Sequence, residues 1–235
     1  MRWEGDDRNE NTRSPIMPHL SALDGFSPED EAIYDAMEHG VTTILSAPGT
    51  ANVIGGQAAV FKMLERATAD ALYQGVAGMQ AALGQDPKGA WRNQKKMPST
   101  RMGTAFILRE ALYKAKDYQE KLALAQADPC KMPERDLQSE ALVKVLNGEL
   151  PLYVHAHRAD DMMTALRIAK EFGLRIVFVT ATEAHKLAKT IKEADVPVIL
   201  GPISASRMSV ETAARTIRTP AALHEAGVKF ALTTN

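Results

Sequence analysis

Two histidines set two residues apart are the part of this sequence best suited to chemistry. In Leu152-Tyr-Val-His-Ala-His157 a short apolar run ends in His155 and His157. Side chains alternate along a strand, so Tyr153, His155 and His157 share one face while Leu152, Val154 and Ala156 share the other. Imidazole is the commonest protein ligand for zinc-type ions, and α/β barrels gather such ligands at the C-terminal ends of their strands. The pair is not specific by itself, because histidines in this spacing also occur as surface or hydrogen-bonded core residues.

The elements around the pair repeat one unit: an amphipathic helix, a break, then an apolar strand. The clearest copies are a helix over 159–172, Gly173 and a strand over 174–179; a helix over 183–194, Asp195 and a strand over 196–200; and a helix over 220–226, Gly227 and a strand over 228–233. An earlier copy runs through a helix over 29–39, Gly40 and a strand over 41–45. Glycine suits the position after a helix because it enters the left-handed region without a Cβ penalty, and Asp195 is a tolerable substitute. Strands starting at Leu152, Leu174 and Val196 are 22 residues apart, the spacing of a crossover to a parallel neighbour. The runs Ile176-Val-Phe-Val179 and Val196-Pro-Val-Ile-Leu200 are apolar throughout, as expected of strands buried on both faces. A parallel sheet with helices outside it is therefore the expectation.

The middle of the chain reads less regularly. Residues 85–98 read as a long polar loop, Ser99 and Thr100 as the cap of a helix over 102–127, and 128–134 as a linker before a helix over 137–146. Gly55-Gly56 lacks the order of a dinucleotide fingerprint and the lysine spacing of a P-loop, and reads as a loop needing positive φ. Neither irregular stretch shifts in composition enough to mark a second domain, so 1–235 is read as one unit.

Composition narrows the function. With 235 residues, 45% of them hydrophobic, the chain can bury a sizeable core. A net charge of -1, with no basic patch beyond Lys95-Lys96, argues against a nucleic-acid or anionic-membrane partner. The lone Cys130 implies a reducing compartment. The charged first ten residues carry no leader-like apolar stretch, and no run reaches the ~18 residues of a membrane span. A cytoplasmic location is the expectation.

Four ordered stretches carry a family resemblance: Ser46-Ala-Pro-Gly-Thr-Ala-Asn-Val-Ile-Gly-Gly-Gln57, Lys95-Lys-Met-Pro-Ser-Thr-Arg-Met-Gly103, His155-Ala-His-Arg-Ala-Asp-Asp161 and Gly201-Pro202. In this order they resemble the imidazolonepropionase-like branch of the metal-dependent amidohydrolase superfamily, over nearly the whole chain. The resemblance implies a distorted (β/α)8 TIM-type barrel with a small β-sandwich, zinc or a similar divalent metal, and hydrolysis of C–N bonds in small, often cyclic, amides by a metal-activated water. It also implies that this chain is an incomplete barrel lacking the first strand, with its His-x-His pair, and the β-sandwich.

Within that pattern His155 and His157 stand as metal ligands, and Arg158 and Asp160 as substrate-binding residues at the barrel mouth. The residues alone equally allow Arg158 and Asp160 as an exposed start to a helix, where Asp160 suits the dipole. Arg207 could fork onto a substrate carboxylate. The departures concern the catalytic positions. Thr180, in Val179-Thr-Ala-Thr-Glu183, stands where the family places a histidine, and Asn235 stands where it places an aspartate ligand and base; Gln80 occupies a place where relatives show lysine. A hydroxyl is a poor zinc ligand and an amide is no base. Three readings follow: an amidohydrolase with a small-molecule substrate, an inactive remnant, or one half of a split enzyme whose first strand a complementing chain supplies; a homo-oligomer is a further partner expectation. The strands over 41–45 and 228–233 are expected to carry unpaired backbone edges.

Overall fold

The structure is a computed structural model and describes residues 14–64, 68–204 and 209–233. Seven strands form one sheet in sequence order: β1 (Thr43–Ser46), β2 (Ile54–Lys62), β3 (Tyr73–Ala82), β4 (Leu152–Ala156), β5 (Ile176–Thr180), β6 (Val198–Leu200) and β7 (Phe230–Leu232). From β3 to β7 all neighbours run parallel, as the repeated helix–strand unit requires. The first three strands correct the all-parallel expectation, because β1–β2 and β2–β3 pair antiparallel. Each of the last three crossovers carries a helix: α6 (Ala159–Phe172), α7 (Ala188–Glu193) and α8 (Thr219–Glu225). The helix expected over 183–194 is divided into a 3-10 turn, Ala184–Lys186, and α7. Gly173 closes α6 at φ 68°, and Asp195 takes φ 50° after α7, the glycine-like role assigned to it.

Strands β2 and β3 correct the reading of Gly55-Gly56 as a loop. Their sequences, IGGQAAVFK and YQGVAGMQAA, are rich in glycine and alanine, which gives them weak strand propensity and no clean alternation. Small residues are needed because other segments press on the sheet here. A Cβ on Gly56, at φ 141°, would lie 2.6 Å from the Leu20 carbonyl oxygen, which accepts the Gln57 N–H at 2.7 Å. A Cβ on Gly78 would lie 2.8 Å from the Tyr153 ring.

The polar loop expected over 85–98 is likewise corrected, since α3 (Gln85–Asn93) forms within it. Pro87 falls in the first helical turn, where a missing N–H costs nothing, and Trp91 supplies the anchor. Its ring is 2% exposed and its Nε1–H donates to the Ala51 carbonyl at 3.0 Å. The long helix α4 (Arg101–Ala127) starts behind Thr100, whose Oγ1 accepts the Gly103 N–H at 3.0 Å, and α5 (Leu137–Leu146) is capped by Asp136. Two short helices, α1 (Glu31–Glu38) and α2 (Ala69–Leu72), lie beside β1 and β2 in the chain.

One core joins these parts. Leu152 and Val154 of β4, Phe178 of β5 and Val198 of β6 pack with Met162 and Ile168 of α6, Leu108 of α4 and Leu142 of α5. Because Leu152, Val154 and Ala156 face this helical layer, Tyr153 and His155 project from the opposite face of the sheet. At the two ends of the sheet β1 pairs with β2 alone and β7 with β6 alone among the described residues. Leu45 and Leu232 are exposed there. No helix among the described residues is long and apolar enough to cross a membrane.

Candidate functional site

The C-terminal ends of the parallel strands gather the ionisable groups. His155 is the penultimate residue of β4, and its backbone is held on both sides, by β3 through the register Ala82↔His155 and the Leu83 N–H, which donates to the His155 carbonyl at 2.9 Å, and by β5 through the register His155↔Val179. Its ring is buried, with Nδ1 making no hydrogen bond and the nearest charged oxygen, Asp86 Oδ2, at 3.7 Å. His157 follows the strand and stands edge-on to His155, with ring centroids 4.9 Å apart and planes at 88°. Its Nδ1 lies 2.7 Å from the Thr182 hydroxyl.

Burial keeps both imidazoles neutral. The His155 pKa is lowered to about 4, first by loss of solvent; the Asp86 carboxylate opposes that shift and the neighbouring His157 adds to it. The His157 pKa is also lowered, again by burial first, with Asp86 opposing and the Arg215 guanidinium reinforcing. Two neutral imidazoles at neutral pH keep their lone pairs, which is the state a metal or a proton requires.

Thr180 ends β5, and its backbone and that of Ala181 take φ 67° and 43°. Such angles cost a β-branched residue on the order of 1–3 kcal/mol and recur where a chain must re-aim a side chain. The Thr180 hydroxyl donates to Val179 O of its own strand at 2.6 Å and reaches Ala156 O at the end of the neighbouring β4 at 3.4 Å. The turn carries Thr182 onto His157 and Glu183 onto the start of α6, where its carboxylate accepts the Ala159 N–H at 2.9 Å. Arg158 and Asp160 pair with each other at the head of α6, at 2.9 and 2.7 Å, with the Asp160 side chain 52% exposed. His185 sits against the Thr219 hydroxyl at 3.1 Å. Gln80 is buried in β3 opposite Tyr153. Arg207 and Asn235 lie outside the described residues.

Several residues at this rim received no role from sequence. Arg101 directs Nε at both oxygens of Asp161, 3.1 Å each, and Nη2 at Glu211. Glu211 stands in the 3-10 turn Val210–Thr212 and accepts the Gln85 N–H, while Gly84 has room only for hydrogen, since a Cβ would lie 2.8 Å from Glu211 and 2.9 Å from Asp161. Burial pushes both carboxyl pKa values up while Arg101 draws them down. Thr50, Arg101 and Asp161 each fall inside a motif stretch quoted above, a signal that marked them without saying what they do. Asp86 and Glu211 had no such signal.

A catalytic zinc wants about three protein ligands. His155 fits that chemistry by its unpartnered buried nitrogen, and His157 stands beside it. Among the described residues, however, no three histidine, cysteine or acidic side chains converge as a metal-holding group. The described part of the chain therefore brings together two imidazoles and falls short of a whole site.

No family model matches the chain. A relative described as amidohydrolase tasK, from Hapsidospora irregularis, is 30% identical over 210 residues, which cover 77% of this chain and 20% of that protein. The crystal structure of an amidohydrolase from Thermotoga maritima MSB8 superposes with a TM-score of 0.92 at 40% identity, covering 98% of this chain and 59% of that one. The chain thus spans a fifth of the length of the first and under two thirds of the second. The region shared with the solved structure includes the seven-stranded sheet described above.

Proposed function

We propose, from the premise that this chain is an amidohydrolase-family protein, that it is the incomplete-barrel part of a hydrolase acting on C–N bonds of small, often cyclic, amides. We assign it to the imidazolonepropionase-like branch and to the cytoplasm. The observation that carries the reading is the pair of neutral imidazoles at the C-terminal end of β4, edge to face with each other, with one nitrogen buried and unpartnered. His155 and His157 would hold a zinc-type divalent ion, whose chemistry there would be to lower the pKa of a water and so make hydroxide available as a nucleophile at neutral pH.

The chain's own residues do the positioning. Thr182 holds His157, the strained turn at Thr180 sets Thr182, and Arg158 with Asp160 offers a charged rim to a polar substrate. With two imidazoles in place of three or more ligands, zinc is expected to bind weakly and to leave on dialysis. Competition against a chelating dye tests this. Weak binding that disappears in His155→Ala supports the assignment, and binding unchanged by that substitution rejects it. A panel of small cyclic amides assayed in excess zinc tests the hydrolytic half of the reading, which fails if a folded, zinc-loaded chain opens none of them.

A further inference from the structure

We propose that Asp86 is the positioning carboxylate of His155: it accepts a hydrogen bond from Nδ1–H, which keeps the ring proton on Nδ1 and so leaves Nε2 as the nitrogen with the free lone pair. His155 has a buried Nδ1 without a hydrogen-bond partner, and a buried N–H left unmet is costly. The charged group beside it is Asp86 Oδ2 at 3.7 Å, a gap that a small rotation of either side chain closes to hydrogen-bond length. A carboxylate that accepts one ring proton fixes both tautomer and ring orientation, and so decides which nitrogen meets a ligand.

The structure holds Asp86 in place from three directions. Thr50 donates its hydroxyl to the same Oδ2 at 2.7 Å. Asp86 lies in the first turn of α3, where a negative charge is favoured. The two residues before it are fixed by the Arg101 cluster, through the Gln85 N–H on Glu211 and the close fit of Gly84 against both acids. The strand that leads into them is bonded to the His155 backbone through Leu83. Three crossover segments distant in sequence, carrying Arg101, Asp161 and Glu211, thus converge to set one carboxylate beside one imidazole.

The inference rests on the reading above in one respect, that Nε2 of His155 is the nitrogen presented to a metal. Its test is made without metal. Ring-nitrogen NMR of the chain with labelled histidine, in chelator at neutral pH, reports the tautomer of His155 directly. The expected result is an Nδ1–H ring in the wild type, changed to a predominantly Nε2–H ring in Asp86→Ala, with no change in Asp160→Ala, which removes a carboxylate elsewhere on the rim. Should Asp86→Ala fail to fold, Thr50→Val releases the carboxylate more gently and is expected to lower the Nδ1–H share. An Nε2–H ring in the wild type, a spectrum unchanged by loss of Asp86 or of the Thr50 hydroxyl, or an equal change in Asp160→Ala would overturn the assignment. The tautomer shift can be absent while zinc still binds, and zinc can fail to bind while the shift is present, so the two proposals fail separately.

Discussion

Replacing Arg101 with methionine is expected to destabilise the protein by about 3 kcal/mol at neutral pH, the low end for stripping the partner from buried charges. The low end applies because the guanidinium is itself 30% exposed, whereas the side chains of Asp161 and Glu211 are 6% and 3% exposed. The loss should depend on pH with a definite sign. Both carboxyl groups already sit above their ordinary pKa through burial, and removing the cation raises them further. A carboxyl whose folded pKa exceeds its unfolded one contributes stability below the unfolded value and loses it as pH rises through the folded value. The gap in urea midpoint between wild type and variant should therefore narrow on going from neutral pH to about pH 5. Adding Asp161→Asn and Glu211→Gln should recover much of the loss. A gap that stays constant across that range would show that the cluster is not held by charge.

Gly201→Ala is expected to have the largest effect of any glycine substitution, enough to prevent stable folding. An added Cβ would lie 2.0 Å from the Thr233 carbonyl oxygen and 3.0 Å from its carbonyl carbon, which are backbone atoms with no rotamer to escape into. Thr233 follows β7 and donates its N–H to Leu200 at the end of β6, at 2.9 Å, so relief of the clash must part the two strands. The cost belongs in the range above about 4 kcal/mol that marks a specific structural cause. Gly40→Ala is the control, because Gly40 has φ 84° but nothing within 4 Å of an added Cβ. It should cost about 1 kcal/mol, from the backbone angle alone. Comparable denaturation midpoints for the two variants would contradict the close approach at Gly201.

These two sites differ in how far the sequence disclosed them. Gly201 belongs to a motif that the resemblance picked out, and its neighbour in space, Thr233, closes the last strand that periodicity located. Where helices and strands are amphipathic or wholly apolar, as in 152–200, the sequence located the elements and put His155 and His157 on one face. Strands β2 and β3 escaped because their glycines and alanines answer to close approach by Leu20 and Tyr153, contacts distant in sequence. The helix α3 escaped because Pro87 and Gly89 look like breakers, while its stability comes from Trp91 reaching Ala51. Asp86, the acid beside His155, was hidden with it. The cluster of Arg101, Asp161 and Glu211 joins residues up to 110 positions apart, and no local pattern could pair them.

The central claim is that His155 and His157 act together as ligands at the strand ends, and one titration tests it most directly. Zinc is added to the chain with its six histidines labelled on the ring nitrogens, and each ring is followed by NMR. The account predicts that the signals of His155 and His157 move together along one binding curve while His19, His39, His185 and His224 stay in place. Movement of a histidine outside the pair along that curve, or of His155 without His157, would contradict it.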